Sequence, residues 1–279
     1  MTTASLTNAT IVEFQKSIRG TGRSDNTARV YFSDLSLFET YLNETHPYDK
    51  PSIQEIEIAA MGWLEEKYRS EQWSAKTIQR RLTSLKSYGR WAGWEGFMSR
   101  YKAPRPSRNR PHPLPGGMDD VDELLRVSAG SLDRCALIAL CGYMGLRVGE
   151  AINVRIYHVD IKNQWLEVKW GKGRRERELP IPDKAVQILA EACHGRPDDA
   201  HVVDVSDRTA RRWITAAGVA AGITRPVASH DLRATAGTHW YRVTKDLRVT
   251  QELLGHADSR TTELYTGITD DAMRNAINQ

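Results

Sequence analysis

The chain has 279 residues, 40% of them apolar, and 39 basic against 35 acidic side chains leave a formal charge of +4. That length is enough for two packed cores, while so small a net charge identifies no anionic partner by itself. No run approaches the roughly 20 consecutive apolar residues of a membrane span, and MTTASLTNATIVEFQKS lacks the basic start and apolar core of a secretory leader, so a cytoplasmic protein with no membrane partner is expected. Cys135, Cys141 and Cys193 show no CxxC spacing and read as inert, reduced packing residues.

Residues 1–103 read as a helical domain. Tyr31, Leu35, Phe38 and Leu42 recur at helical spacing after Ser24, a residue suited to capping. Ser52 and Glu55 have capping-box spacing ahead of a helix through Ile56, Ala60, Trp63 and Leu64. From about Ser74 to Trp91, Ile78, Leu82 and Leu85 form one stripe of a helix while Lys76, Arg80, Thr83, Ser87 and Arg90 form the opposite one. Those five positions fall within about 80° of arc, and each can bond a phosphate, which makes the stripe a candidate contact for duplex DNA. A solvated outer face is the competing reading.

Charge is concentrated rather than spread: between Lys76 and Arg110 ten basic residues stand against the single acid Glu95. Within that window begins a stretch, 104–117, where Pro104, Pro106, Pro111, Pro113 and Pro115 alternate with arginines and end at Gly116 and Gly117. Such a composition resists helix and strand and marks a linker. In residues 118–279, Leu132 to Tyr143 is almost wholly apolar past Arg134, as for a helix buried in a second core. Strand character runs from Tyr157 to Pro182 around a Gly171-Lys172-Gly173 turn, and helical patterning resumes from Asp183. The expected fold is mainly α with a small β-sheet: a helical first domain and an α+β second domain.

Four stretches of the second domain carry groups suited to phosphoryl transfer: GLRVGE (145–150), WGKGRRER (170–177), SHDLRATAGTHW (229–240) and LLGHADSRTTELYT (253–266). Arginine's planar, permanently charged fork matches two phosphate oxygens, so Arg147 and Arg233 can hold both non-bridging oxygens as charge builds. His230 and Arg233, three apart, share one side of a helix, placing a proton-transfer group beside an anion holder. His256 follows in a Gly-His pair, and Tyr265 lies nine residues further on. A phenol with a pKa of about 10 needs nearby cations or a base to attack at neutral pH.

In this order the residues resemble the tyrosine recombinases of the phage-integrase family, whose catalytic set runs Arg, Lys, His-x-x-Arg, His or Trp, Tyr. Arg147 matches the first arginine, Lys172 the hairpin lysine, His230 and Arg233 the His-x-x-Arg pair, His256 the Gly-His position and Tyr265 the nucleophile. The resemblance covers the whole second domain. It extends less specifically to the first, where TARVYFSDL (27–35) and the basic helix resemble the SAM-like core-binding domain, with no arm-binding domain expected ahead of it. It implies attack of Tyr265 on a scissile phosphate, a 3′-phosphotyrosine, and no metal, ATP or other cofactor. It also implies double-stranded DNA as partner, a homotetrameric synapse and a possible directionality factor; a short C-terminal helix at Met273 and Ile277 is expected to dock on a neighbouring protomer, with packing within its own subunit as the competing reading. Glu150 is expected to orient the site.

Integration and excision of a phage or mobile element is the expected role, with Xer-type resolution of chromosome or plasmid dimers as the alternative. A metal-dependent nuclease would need carboxylates such as Asp119, Asp120, Asp122 and Glu123, but neighbouring acids point to different sides of a helix and more readily favour its positive end. A non-catalytic DNA-binding protein of the same fold is the remaining rival.

Overall fold

The structure, a computed structural model, describes residues 5–22, 25–46, 50–106, 112–169 and 176–255. Contacts divide the chain into two compact units, Met1–Arg108 and Asn109–Gln279.

The first unit contains α1 (Asn8–Gly20), α2 (Asp25–Thr45), α3 (Ile53–Arg69) and α4 (Ala75–Trp91). The expected stripes meet in its core: Tyr31, Leu35, Phe38 and Leu42 of α2, Ile56, Ala60, Trp63 and Leu64 of α3, and Ile78, Leu82 and Leu85 of α4 are all buried. Ser52 caps α3 through Glu55, whose carboxylate reaches back to the Ser52 backbone N–H at 2.7 Å. Ser74 caps α4 by accepting from the Thr77 backbone N–H at 3.3 Å. Ser24 lies outside the described residues.

The second unit begins inside the Pro-rich stretch. Leu114 is buried, its backbone N–H donates to Thr235 Oγ1 at 2.8 Å, and Arg225 donates to the His112 carbonyl at 2.8 Å. Then come α5 (Met118–Ser128) and α6 (Leu132–Ile138), which passes into a π-helical turn at Ala139–Tyr143 and so to α7 (Val148–Ala151). A three-stranded antiparallel meander follows: β1 (Val159–Asp160), β2 (Trp165–Val168) and β3 (Arg177–Pro180). Leu166 pairs with Leu179 and Val168 with Arg177, and Leu166, Val168 and Leu179 turn into the core. The unit continues with α8 (Asp183–Cys193), α9 (Asp207–Ala220), α10 (Ser229–Thr244) and α11 (Leu247–Leu254). α10 packs on the π turn, as the apolar run 132–143 requires of a buried partner. The described residues are thus mainly helical, with one small sheet among them.

Cys141 lies fully buried and its thiol is pushed up to about 12 by that burial, in keeping with an inert packing role. Cys135 and Cys193 are only partly covered. Among the described residues no helix is long and apolar enough to cross a membrane.

Candidate active site

The approach to Arg147 departs from regular helix. At the π turn the Met144 backbone N–H bonds the Ala139 carbonyl at 3.1 Å, and the Leu146 N–H bonds the Leu140 carbonyl at 2.9 Å. Gly145 between them has φ +61°, and a β-carbon there would come within 2.8 Å of the Trp240 ring. Glycine is therefore required on both counts. The chain leaves this bend with Arg147 extended ahead of α7, and Glu150 reaches back to it, accepting from its backbone N–H at 2.9 Å and from its Nη1 at 2.7 Å.

Glu150 is 1% exposed and gathers two further guanidinium groups. Arg177 Nη2 lies 3.0 Å from Oε2, and Arg233 Nη1 lies 3.8 Å from the same oxygen. One carboxylate against three guanidiniums leaves a surplus of positive charge. Burial pushes the Glu150 pKa up, but hydrogen bonding and charge from Arg177, joined by Arg147, overcome it and hold the group at about 2. Glu150 is thus ionised at any physiological pH.

Arg233, on α10, is 1% exposed. Its Nη1 donates to the Gly145 carbonyl at 2.5 Å and its Nη2 to the Leu254 carbonyl at 2.6 Å. His230, one helical turn earlier, opens to solvent. Desolvation of its ring by the surrounding protein, then the charges of Arg233, Arg147 and Arg211, lower its pKa, with Asp231 opposing. The imidazole is therefore neutral near pH 7 and able to accept a proton. Arg211 of α9 joins this edge by donating to Ser229 Oγ at 3.3 Å while paired with Asp207.

The structure thus brings Arg147, His230 and Arg233 to one place. Lys172, His256, Tyr265, Met273 and Ile277 lie outside the described residues. In the first unit Lys76, Arg80, Thr83 and Arg90 are exposed along α4 and Ser87 is half-buried. Arg80 is not wholly available to a ligand, because its Nη1 donates to the buried carboxylate of Asp34, which also accepts from Ser84 Oγ at 2.8 Å.

Three of the four acids weighed as metal ligands have local partners. Asp119 and Asp120 occupy the first turn of α5, where Asp120 accepts from the Gly116 N–H at 2.8 Å. Asp122 is held by Tyr143 and Lys184, and Glu123 by Arg126. Among the described residues no three His, Cys, Asp or Glu side chains are grouped to hold a metal ion.

Arg177 and Arg211 were not singled out by the motif order. For Arg177 a signal existed: period-two alternation puts it on the same face of β3 as the buried Leu179, an inward place for an arginine. For Arg211, amid Arg208 and Arg212 on an amphipathic helix, no such signal stands out.

Residues 118–271 match the model of the phage integrase family, and residues 11–96 match that of the phage integrase N-terminal SAM-like domain. Relatives include a tyrosine recombinase XerA of Pyrococcus furiosus, 30% identical over 98% of this chain and 94% of its own length. A tyrosine recombinase XerD of Pseudomonas putida is 31% identical over 88% of each chain. Among solved structures, a lambda integrase dimer bound to a COC′ core site is similar with TM-score 0.74, at 18% identity over 94% of this chain and 77% of that one. The XerH site-specific recombinase in its post-cleavage complex with palindromic difH substrate gives TM-score 0.70, at 17% identity over 97% and 94%. Fold, residue order and kinship agree, and the chain belongs to the phage integrase family, the tyrosine recombinases, whose members cleave and rejoin DNA.

Proposed function

We propose that this chain is a site-specific DNA recombinase that integrates and excises a phage or mobile element through a 3′-phosphotyrosine on Tyr265. The observation that carries the reading is the buried Glu150 holding three guanidinium groups around one carboxylate, with the neutral His230 at the edge of the cluster. An excess of fixed positive charge next to a proton acceptor suits a phosphodiester whose oxygens gain negative charge as it becomes five-coordinate.

In this mechanism Arg147 and Arg233, with His256, bind the non-bridging oxygens. The Tyr265 oxygen forms a bond to phosphorus and gives its proton to His230. The bond from phosphorus to the 5′-oxygen breaks, and Lys172 supplies the proton that the departing oxygen needs. The phosphotyrosine conserves the bond energy, so a second 5′-hydroxyl reverses the step without ATP. The arginines provide the charge that a metal supplies in other phosphoryl-transfer enzymes. Action takes place on duplex DNA in the cytoplasm, and two cuts on each of two sites call for four subunits. A directionality factor would bias integration against excision.

The test is a nicked suicide duplex carrying the recombination site, from which the cleaved fragment diffuses away. The wild-type protein should become covalently attached to DNA, with the same yield in excess EDTA, and Tyr265→Phe should bind without attaching. Binding without attachment by the wild type would instead identify a non-catalytic DNA-binding protein. A second reading of the biological role is Xer-type dimer resolution, favoured by the Xer names of relatives that match nearly end to end. Loss of the gene separates the roles: resolution predicts unresolved chromosome or plasmid dimers, whereas integration predicts failure of an element to enter or leave its attachment site.

A further inference from the structure

Arg177 begins β3. Its side chain is 12% exposed and donates to both oxygens of Glu150, from Nη2 at 3.0 Å and from Nη1 at 3.5 Å. The other side of the guanidinium lies against Gly255, the left-handed cap of α11, where a β-carbon would come within 2.8 Å of Nη1 and 2.9 Å of Cζ. Its Nε is buried with no hydrogen-bond partner among the described residues.

These contacts join three parts of the chain at one group. Glu150 also binds Arg147 and Arg233; β3 begins at Arg177, five residues after Lys172 in the sequence; and Gly255 immediately precedes His256. Without Arg177, Glu150 Oε2 loses its nearest guanidinium, and Arg233 Nη1, 3.8 Å away, becomes the cation drawn toward it. That pull opposes the bond from the same nitrogen to the Gly145 carbonyl and neutralises charge intended for a phosphate. Lysine can serve one carboxylate oxygen but cannot span both.

We infer that Arg177 is a positioning residue for strand cleavage, which keeps Glu150 from capturing Arg233 and holds the start of β3 and the Gly255 cap against the same guanidinium. The inference rests on the recombinase reading. On it, a displacement of the arginines by about 1 Å slows the chemistry on the order of a hundredfold.

The experiment uses the full chain and the suicide duplex at saturating protein, comparing wild type, Arg177→Met, Arg177→Lys and Gly255→Ala for rate of covalent attachment, DNA affinity and Tm. A second duplex carries a methylphosphonate at the scissile position, which removes one charged oxygen and with it part of the demand on the arginines. Arg177→Met should attach about a hundredfold more slowly with affinity within roughly twofold of wild type, Arg177→Lys should fall between, and both deficits should shrink on the methylphosphonate. Gly255→Ala, which pushes on Arg177, should reproduce the slow phenotype. Should Arg177→Met fail to fold, the lysine variant reads the same quantity. Rates within about threefold of wild type, or deficits of equal size on both duplexes, would overturn the inference. Absence of attachment by the wild type would instead overturn the recombinase reading beneath it.

Discussion

Arg233 Nη2 donates to the Leu254 carbonyl oxygen at 2.6 Å, tying the middle of α10 to the last residue of α11. Its other terminal nitrogen holds the Gly145 carbonyl at 2.5 Å, two residues before Arg147. One buried guanidinium therefore secures the chain just ahead of two members of the proposed catalytic set, Arg147 and His256.

Replacing Arg233 tests how much of that work is structural. Arg233→Ala strands two carbonyls and leaves Glu150 with one cation fewer in a site that water hardly reaches, so a loss of about 3 kcal/mol in unfolding free energy is expected from urea titration. Arg233→Lys keeps the charge but cannot reach both carbonyls, so it should recover part of the stability and little of the cleavage on the suicide duplex. A lysine variant that cleaves at the wild-type rate would show that charge alone suffices at this position.

Glu150 sets the acid limit of the same cluster. Its pKa drops from the ordinary 4.5 to about 2 on folding, so the unfolded chain binds the extra proton between those values. A depressed carboxylate contributes stability that is complete above pH 4.5 and is lost as the pH falls toward 2, here about 3 kcal/mol for a group buried to this degree. Unfolding at pH 6 and pH 3 should therefore show a larger loss for wild type than for Glu150→Gln, which has no proton to gain. Equal losses would mean that the carboxylate is no better paired in the folded chain than outside it.

How far the sequence revealed this site depends on distance along the chain. Arg147, His230 and Arg233 were legible because their order and the three-residue spacing of the pair carry the chemistry, and the apolar run 132–143 located the buried helix leading to the first of them. The capping pair of Ser52 and Glu55 was likewise a local signal, whereas the Ser74 cap was not read, and the helical stripes of α2, α3 and α4 became the first core. The strand period marked Arg177 as facing inward, but its partner was hidden, because Glu150 stands 27 residues away on α7, a pairing that no local pattern states. The π-helical turn was hidden too: in sequence it reads as more of α6, and only packing against α10 decides where the helix widens to deliver Gly145. Arg80 shows the converse, a residue whose helical face was read correctly but whose buried partner on another helix was not.

If His230 takes the phenol proton as proposed, its lowered pKa gives cleavage a pH signature. A protonated imidazole cannot take the phenol proton, so the rate should fall on the acid side, with its midpoint below the ordinary histidine value of 6.5. Arg211 is one of the cations that lowers it, and it contacts Ser229 rather than any group assigned to the phosphate. Arg211→Gln should consequently move the acid limb to higher pH, because removing a positive neighbour makes protonation easier. Attachment rates measured from pH 5 to 8 decide the matter; an acid limb unmoved in Arg211→Gln would separate His230 from the proton transfer or Arg211 from His230.

On α4 the partners of each basic residue decide what its loss does. Lys76 and Arg90 are exposed, so if the stripe follows a DNA backbone, each alanine variant should reduce the slope of log affinity against log salt by about 0.9 and leave Tm unchanged. Arg80 differs because it also compensates Asp34, which is 3% exposed and has Arg81 3.9 Å from its other oxygen. Arg80→Ala should therefore lower Tm as well as the salt slope. Arg80→Ala combined with Asp34→Asn removes the stranded carboxylate and should recover stability while the salt slope stays low. A double variant that regains the wild-type slope would mean that Arg80 serves Asp34 alone, and the contact with DNA would then rest on Lys76, Thr83, Ser87 and Arg90.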